Sequence, residues 1–305
     1  MSAKNWICSN NPSHVFSKTE AEDLNYFCPN CAYGEGILME ESSPLPVSRN
    51  LGLCIMLLDC SGSMNLSAFP NHPLSKRELI TTAVTAAIYS LTGLGTKAFA
   101  YMMLIGFDHE TKILLPATSL EDIFNKFPDH IDFEQFLLNK MPNRNGATDI
   151  NGALRIAYHY TQKFIDGDLK EQLGDYSPAV QSIIDSDLNT HSIPNVRVLL
   201  FTDGEHYLGD DDRNLMPSPF NNLSFKGKNI NLLMSAFYGE EQENGYAQLL
   251  SLVSHCPKHP GTPQFFHYNT PAKLPSLKGL FRMASGASGF CPKCLEESHF
   301  ATTDL

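Results

Sequence analysis

Five side chains in this sequence carry oxygen atoms at positions where they could meet around one cation. Asp59, Ser61 and Ser63 occupy every second position of the segment LLDCSGSMNL, just after an apolar run. Asp203 follows a second apolar run in FTDGE, and Thr148 lies in the turn NRNGATDINGAL. Two carboxylates and three hydroxyls, with no Cys or His, form the donor set of a hard octahedral ion such as Mg²⁺.

Two interpretations of this pattern are open at the level of single residues. Asp59 and the two serines alone could simply cap a following helix. In a tight turn after a strand, however, residues i, i+2 and i+4 can direct short side chains toward one point, and the intervening glycine lets the backbone curve around it. The additional presence of Thr148 and Asp203 favours the metal site.

A scaffold of alternating strands and helices is predicted to position these side chains. The runs LGLCIMLLD, AFAYMMLIGFD, NVRVLLF and INLLMSAFYG have the continuous apolar character of strands covered on both faces. Helical segments separate them, one of them introduced by a capping box of Ser75 and Glu78. The pattern predicts an α/β fold with a mostly parallel central sheet and helices on both faces. Ligands of such sheets bind at the carboxyl ends of the strands, where the five side chains are expected.

The five positions resemble the metal-ion-dependent adhesion site of von Willebrand factor A (vWA) domains, and the resemblance covers about residues 50–285. It implies a Rossmann-like fold in which Ser61 and Ser63 bind the metal directly. Thr148 would bind directly or through water, depending on conformation. Asp59 and Asp203 would act mainly through water and hold the hydroxyls in place.

The cysteines predict a second kind of metal site. At the N-terminus, Cys8, His14, Cys28 and Cys31 form a set in which the segment FCPNCAYGEG resembles a zinc-ribbon knuckle. Four such ligands in a segment too small for its own core favour structural Zn²⁺. We therefore expect a zinc-ribbon-like module over residues 1–45.

A second knuckle, Cys291-Pro-Lys-Cys294, lies in a C-terminal tail predicted over residues 286–305. The expected zinc set is Cys291, Cys294, Cys256 and His299. Its partners remain open at this point, because His259 or His267 could serve in place of Cys256. The two knuckles could also meet in one four-cysteine site that leaves out His14, or the tail could be disordered or redox-active.

Four other features of the sequence are interpreted here. Cys54 is expected in the core, and Cys60 is expected to alternate away from the metal side of its turn. His206, in FTDGEH, is interpreted as an ordinary loop residue. The segment NLSAFPNHPL is longer than a strand-to-helix turn requires, so it forms either a lip beside the ion or a delayed start of the helix.

Composition restricts the setting and the partners. The 305-residue chain has a formal net charge of −11, which argues against nucleic-acid binding, because that requires a surplus of Lys and Arg. We see no apolar stretch of about 18 residues and no signal-peptide pattern, so we expect a cytoplasmic protein without a membrane partner. In a reducing compartment, Cys-x-x-Cys pairs indicate metal ligands before disulfides.

These observations predict a binding protein and not an enzyme. An ion with one open coordination position would capture an Asp or Glu side chain of a partner protein, and the zinc modules would be structural or docking extensions of this adaptor. One alternative is a metal-dependent hydrolase acting on phosphate esters, but the motif offers no clear nucleophile or base. The other alternative is a nucleic-acid-binding zinc ribbon, although the segments flanking the knuckles are acidic.

Overall fold

The protein is described from a computed structural model. The described residues are 6–8, 15–23, 38–40, 52–92, 100–141, 146–165, 195–209, 212–222, 224–225, 228–229, 233–256, 258–270, 273, 275–284 and 291–297. The predicted ligands His14, Cys28, Cys31 and His299 lie outside these residues, as does the polar stretch 166–194.

A small antiparallel sheet forms near the N-terminus. Its strands are β1 (Trp6–Cys8), β2 (Val15–Phe16) and β3 (Leu38–Glu40), arranged in the order β2-β1-β3. Helix α1 (Lys18–Asp23) follows β2. It begins with a reciprocal pair of hydrogen bonds between Ser17 and Glu20, which satisfies backbone groups at the helix start.

The main sheet has six strands, five of them parallel. In sequence order the remaining strands among the described residues are β4 (Gly52–Asp59), β5 (Ala100–Phe107), β6 (Thr111–Ser119), β7 (Asn195–Thr202), β8 (Ser224–Phe225), β9 (Lys228–Asn229), β10 (Leu233–Tyr238) and β11 (Phe265–Tyr268). The main sheet has the order β11-β10-β7-β4-β5-β6, and only β6 is antiparallel to its neighbour. Strands β8 and β9 form a separate short hairpin.

Helices cover both faces of this sheet. They are α2 (Lys76–Tyr89), α3 (Leu120–Lys126), α4 (His130–Lys140), α5 (Ile150–Ile165), α6 (Asn244–Leu252), α7 (Pro275–Ala284) and α8 (Pro292–Glu297). One core cluster joins the sheet to α2, α3, α4, α7 and α8, and the other joins it to α5 and α6. The predicted Rossmann-like α/β fold, with a mostly parallel sheet between two helical layers, is confirmed. Within the described part of the chain, no helix is both long enough and apolar enough to cross a membrane.

Strand β4 shows why apolar and polar residues do not alternate in the apolar runs. Its side chains point to opposite faces in turn, with Met56 and Leu58 in one core cluster and Ile55 and Leu57 in the other. Because helices cover both faces, every residue from Leu53 to Asp59 is buried. The strand therefore holds Asp59 at its carboxyl end in a fixed position.

The loop after β4 delays the start of α2. The capping box between Ser75 and Glu78 is present as predicted, and the helix begins at Lys76. Residues 66–75 form a closed loop, in which Ala68 N donates to Leu74 O at 3.0 Å and Lys76 N donates to Leu66 O at 2.9 Å. The long connection is thus an ordered loop beside the five predicted side chains.

Candidate functional site

Hydroxyl and carboxylate groups from two neighbouring strands meet at the carboxyl edge of the sheet. Ser61 and Ser63 are at the start of a 3-10 turn (Gly62–Asn65), and their Oγ atoms lie 3.0 Å apart. Ser63 Oγ donates to Asp203 Oδ1 at 2.7 Å. Because β4 and β7 are adjacent and parallel, the loops after them bring these three side chains together.

Asp59 lies behind the two serines and is buried. Its Oδ1 accepts a hydrogen bond from Ser61 N at 2.7 Å, and its Oδ2 accepts one from Thr202 Oγ1. Burial, and secondarily the negative charge of Asp203, raise the pKa of Asp59 to about 7. A bound cation would stabilise the ionised form of Asp59, since it would neutralise two carboxylates that otherwise repel each other.

Thr148 approaches the same point from a third loop. Its backbone pairs with Tyr207 in both directions, at 2.8 and 3.0 Å, so the loop before α5 is joined to the loop after β7. A Cβ atom added to Gly204 would lie 3.7 Å from Thr148 Oγ1, which places this hydroxyl beside the residue that follows Asp203. The structure therefore brings all five predicted side chains to one edge.

His206 is not the ordinary loop residue expected from the sequence. It is fully buried, and its Nδ1 lies 3.1 Å from Thr148 O while its Nε2 lies 2.9 Å from Asn151 Nδ2. Its backbone N donates to Gln248 Oε1 at 2.8 Å. The imidazole thus positions the Thr148 loop, and the interpretation was wrong because the pairing of two distant loops leaves no local sequence signal.

Lys76 is a second residue that sequence reasoning missed. Its Nζ lies 2.5 Å from Asp203 Oδ2, and it also lies 5.6 Å from the centre of the Tyr238 ring. Asp203 therefore contacts a hydroxyl through one oxygen and an ammonium through the other. The available signal was the position of Lys76, the first residue of a helix whose start faces the carboxyl edge.

Asp108 supports the site from the end of β5. It is buried, its backbone O accepts from Asp149 N at 2.7 Å, and its Oδ1 accepts from Glu110 N at 2.9 Å. Asp149 directly follows Thr148, so this contact fixes the threonine loop against the neighbouring strand. Asp108 was not singled out from the sequence.

The donor chemistry at this edge fits a small divalent cation. Ser61, Ser63 and Thr148 offer hydroxyl oxygens, which together with water-linked carboxylates suit hard ions that retain water. Ser63 is exposed, so an ion beside it could be reached from solvent. The two carboxylates supply the negative charge, and Lys76 neutralises part of it in the described structure.

Three cysteines and a histidine form a separate cluster at the opposite edge of the sheet. Cys256, His259, Cys291 and Cys294 each offer one ligand atom, and all four atoms lie within 4.8 Å of one another. Three members of the predicted set are together here, and His259 is the histidine among them. The backbone of Ser254, two residues earlier, bonds to Leu233 at the first residue of β10, which places the cluster at the amino edge of the sheet.

The remaining cysteine and histidine predictions have different outcomes. Cys54 is buried in the core as predicted, and burial raises its pKa to about 12. Cys60 is buried, with its Sγ 3.4 Å from Leu58 O. His267 is separate from the cysteine cluster, because its Nε2 bonds to Gly239 O at 2.7 Å. Cys8 ends β1, and its N-terminal partners lie outside the described residues.

A scan against protein-family models gave no match, and a search of curated proteins gave none. Among solved structures, the chain is similar to proximal thread matrix protein 1 from the mussel byssus with a zinc-occupied MIDAS motif, at 16% identity and a TM-score of 0.42, covering 77% of this chain and 47% of that one. A von Willebrand factor type A structure from Catenulispora acidiphila has 14% identity and a TM-score of 0.43, covering 78% and 43%. The PilB minor pilin from Streptococcus sanguinis has 13% identity and a TM-score of 0.46, covering 88% and 67%. The chain thus spans less than half the length of the first two.

Proposed function

We propose that this protein is a metal-dependent protein-binding adaptor. A Mg²⁺-type ion at Ser61, Ser63, Thr148 and the two carboxylates would present an open coordination position to a partner. An Asp or Glu side chain of the partner would complete the coordination sphere. The proposal assigns the protein no catalytic step.

The observation that carries this proposal is the hydrogen-bonded chain from Ser61 through Ser63 to Asp203. These groups contact one another directly, with separations of 3.0 and 2.7 Å, although 140 positions in the chain separate Ser63 from Asp203. Both ends of this chain, Ser61 and Asp203, are buried, whereas Ser63 between them is exposed. An ion held there would be anchored by the protein and accessible to a second molecule.

Exposed apolar side chains on the same loops support a protein partner. Leu66 ends the turn that carries Ser63 and is 63% exposed. Leu208 directly follows Tyr207, the backbone partner of Thr148, and is 40% exposed. Apolar groups beside a polar ion site suit a protein surface, in which a charged anchor is surrounded by hydrophobic contact area.

The histidine at the site favours binding over hydrolysis. Both ring nitrogens of His206 are engaged, by Thr148 O and by Asn151, and the ring is fully buried. His206 is therefore poorly placed to act as the general base that takes a proton from a metal-bound water in the hydrolysis of a phosphate ester.

The setting follows from the chemistry of the two metal classes. We propose that the oxygen site takes Mg²⁺ in a reducing, cytoplasmic environment, where the thiols of Cys256, Cys291 and Cys294 would remain available to bind Zn²⁺. Zinc would have a structural role and would not contact the partner's acidic side chain.

Partner capture tests this function. Wild-type protein, Ser63→Ala and Ser251→Ala are immobilised with Zn²⁺ bound at the thiol sites, and native lysate dialysed into buffer with or without Mg²⁺ is applied. Ser251 is the matched control because it is exposed and its hydroxyl bonds only locally, to Gln248 O, on α6.

The proposal predicts partners that are retained by wild type and Ser251→Ala in Mg²⁺ and are lost without Mg²⁺ and with Ser63→Ala. For each such partner, replacing one surface Asp or Glu should abolish the interaction. Partners that bind all three proteins equally, with or without Mg²⁺, would contradict the proposed function.

A further inference from the structure

The four ligand atoms at the amino edge have the separations of a tetrahedral zinc site. The Sγ of Cys294 lies 3.7 Å from that of Cys256 and 3.8 Å from that of Cys291. The Nδ1 of His259 lies 3.8 Å from the Sγ of Cys256 and 3.4 Å from those of Cys291 and Cys294. With Zn–S near 2.3 Å and Zn–N near 2.05 Å, a tetrahedral ion requires about 3.8 Å between sulfurs and about 3.6 Å between sulfur and nitrogen.

We propose that Cys256, His259, Cys291 and Cys294 bind one structural Zn²⁺, which fastens the C-terminal helix α8 to the amino edge of the sheet. This proposal is independent of the partner-binding function, because the two sites share no residue and occupy opposite edges. It also decides which histidine is the ligand, a choice that the sequence left open, since His259 completes the set without His299.

Both halves of this site begin with the same three residues, Cys-Pro-Lys, followed by a ligand. The ligand pairs are Cys256-Pro-Lys-His259 and Cys291-Pro-Lys-Cys294. In the first, His259 N donates to the Sγ of Cys256 at 3.4 Å, and the loop is closed by Cys256 N donating to Thr262 O at 2.8 Å. Backbone N–H groups directed at a sulfur stabilise its thiolate form, which is the form that binds metal.

A carboxylate orients the histidine ligand. The Nε2 of His259 lies 3.0 Å from Glu297 Oε1, so the Nε2–H donates to the carboxylate and the Nδ1 lone pair faces the three sulfurs. A carboxylate bonded to the far nitrogen of a ligating histidine fixes its tautomer and strengthens it as a ligand. Glu297 belongs to the same helix as Cys294, so it adds a second link between α8 and the loop before β11.

Disulfide bonding does not account for these contacts. The described cysteines of this cluster are unbonded, and their sulfurs are separated by far more than the S–S bond length of about 2.0 Å. Cys291 is fully buried and Cys294 nearly so. A shared metal ion would explain why three thiols and an imidazole pack together here.

The expected role follows from the length of α8. The helix has six residues, far fewer than an isolated helix needs to be stable in water. It nevertheless places Cys294 and Leu295 in the core cluster that includes α2 and α7. The zinc ion would supply the stabilisation that so short a helix cannot obtain from its own backbone hydrogen bonds.

The test measures zinc and cobalt binding by the full chain. A Cys28→Ser/Cys31→Ser background removes the proposed N-terminal site, so that the metal counted by elemental analysis belongs to the amino edge. In this background we compare His259→Ala, His259→Cys, Glu297→Gln and the control His255→Ala, whose side chain is exposed. Cobalt substitution reports the ligands, because thiolate coordination gives charge-transfer absorption and tetrahedral geometry gives strong d–d bands.

The proposal predicts one zinc per chain in the background and in His255→Ala. We expect zinc affinity to fall about 10- to 100-fold in Glu297→Gln and at least as far in His259→Ala. His259→Cys should retain zinc and show the cobalt spectrum of four thiolates. Limited proteolysis should release the C-terminal segment when a chelator removes the zinc.

Two results would overturn the proposal. One is a background protein that contains no zinc and gives no thiolate–cobalt absorption. The other is a cobalt spectrum that is unchanged in His259→Ala but altered in His299→Ala, which would exclude the proposed ligand set. Neither result would depend on Mg²⁺ or on a partner protein, so both are distinguishable from failure of the proposed function.

Discussion

At the scale of single residues, Asp203 is the centre of the candidate site. One of its oxygens accepts from Ser63, and the other contacts the ammonium group of Lys76. In the described structure the lysine neutralises a charge that a divalent ion would otherwise neutralise. An incoming ion must therefore share Asp203 with Lys76 or displace it.

Replacing this lysine should strengthen ion binding. Two cations within about 4 Å of each other at a partly buried site repel by a few kcal/mol. We expect Lys76→Met to raise the Mg²⁺ affinity about tenfold or more. It should also lower the thermal stability of the zinc-loaded protein in the absence of Mg²⁺, where Asp203 loses its ammonium partner. Isothermal titration calorimetry measures the Mg²⁺ affinity, and thermal unfolding measures the stability.

The exposed strand residue Lys112 provides the control, since Lys112→Met removes the same charge elsewhere. If both substitutions change Mg²⁺ affinity equally, the effect arises from net charge, and Lys76 does not compete with the ion for Asp203.

The sequence predicted the residues of the oxygen site better than the residues that contact and position them. Asp59, Ser61 and Ser63 are close in the chain, and Asp203 follows a strand with the same apolar design, so local pattern and the shared carboxyl edge of parallel strands predicted their positions. Thr202, Lys76 and His206 contact the site through the relative positions of strands, helices and loops. Such contacts depend on tertiary packing and leave no periodic pattern in the sequence.

At the scale of secondary-structure elements, helix α6 packs against the loop that carries Asp203. A Cβ atom added to Gly245 would lie 2.7 Å from the backbone O of Gly204 and 2.8 Å from its carbonyl carbon. The helix can approach the site loop this closely only because Gly245 has no side chain. The geometry of Asp203 thus depends on a helix that contributes no ligand.

Gly245→Ala should therefore destabilise the protein and weaken ion binding. Within a helix, a glycine-to-alanine change ordinarily stabilises by up to about 1 kcal/mol, and Gly245 is the second residue of α6. Here the added methyl group meets backbone, so we expect a loss of about 1–3 kcal/mol of unfolding free energy. Chemical denaturation and Mg²⁺ titration test this, with Ala247→Ser on the exposed side of α6 as control. A stabilised variant with normal Mg²⁺ affinity would show that the close contact has no role.

Strands and helix starts were predicted well because their signals are local. The apolar run of β4 and the capping box of α2 each lie within one element, and the structure has these elements at the predicted places. The closed loop of residues 66–75 was left open between two forms, since its backbone hydrogen bonds depend on no sequence motif that we recognised.

At the scale of the whole molecule, the described structure separates two kinds of metal chemistry. Oxygen donors meet at the carboxyl edge of the sheet, and sulfur and nitrogen donors meet at the amino edge. Hard ions and soft or borderline ions should therefore occupy different edges without competing. The sequence indicated both donor sets and left His259 open as one of several candidates. The Cys-Pro-Lys that precedes both His259 and Cys294 was a local signal that could have selected this histidine.

Direct titration of Mg²⁺ into the zinc-loaded protein tests the central claim most directly. Wild type and Ser251→Ala should each bind one Mg²⁺ per chain with the same affinity, while Ser63→Ala should lose at least tenfold in affinity and keep its fold by circular dichroism. Equal Mg²⁺ binding by all three proteins, or no Mg²⁺ binding by the wild type, would contradict an ion site at Ser61, Ser63, Thr148 and Asp203.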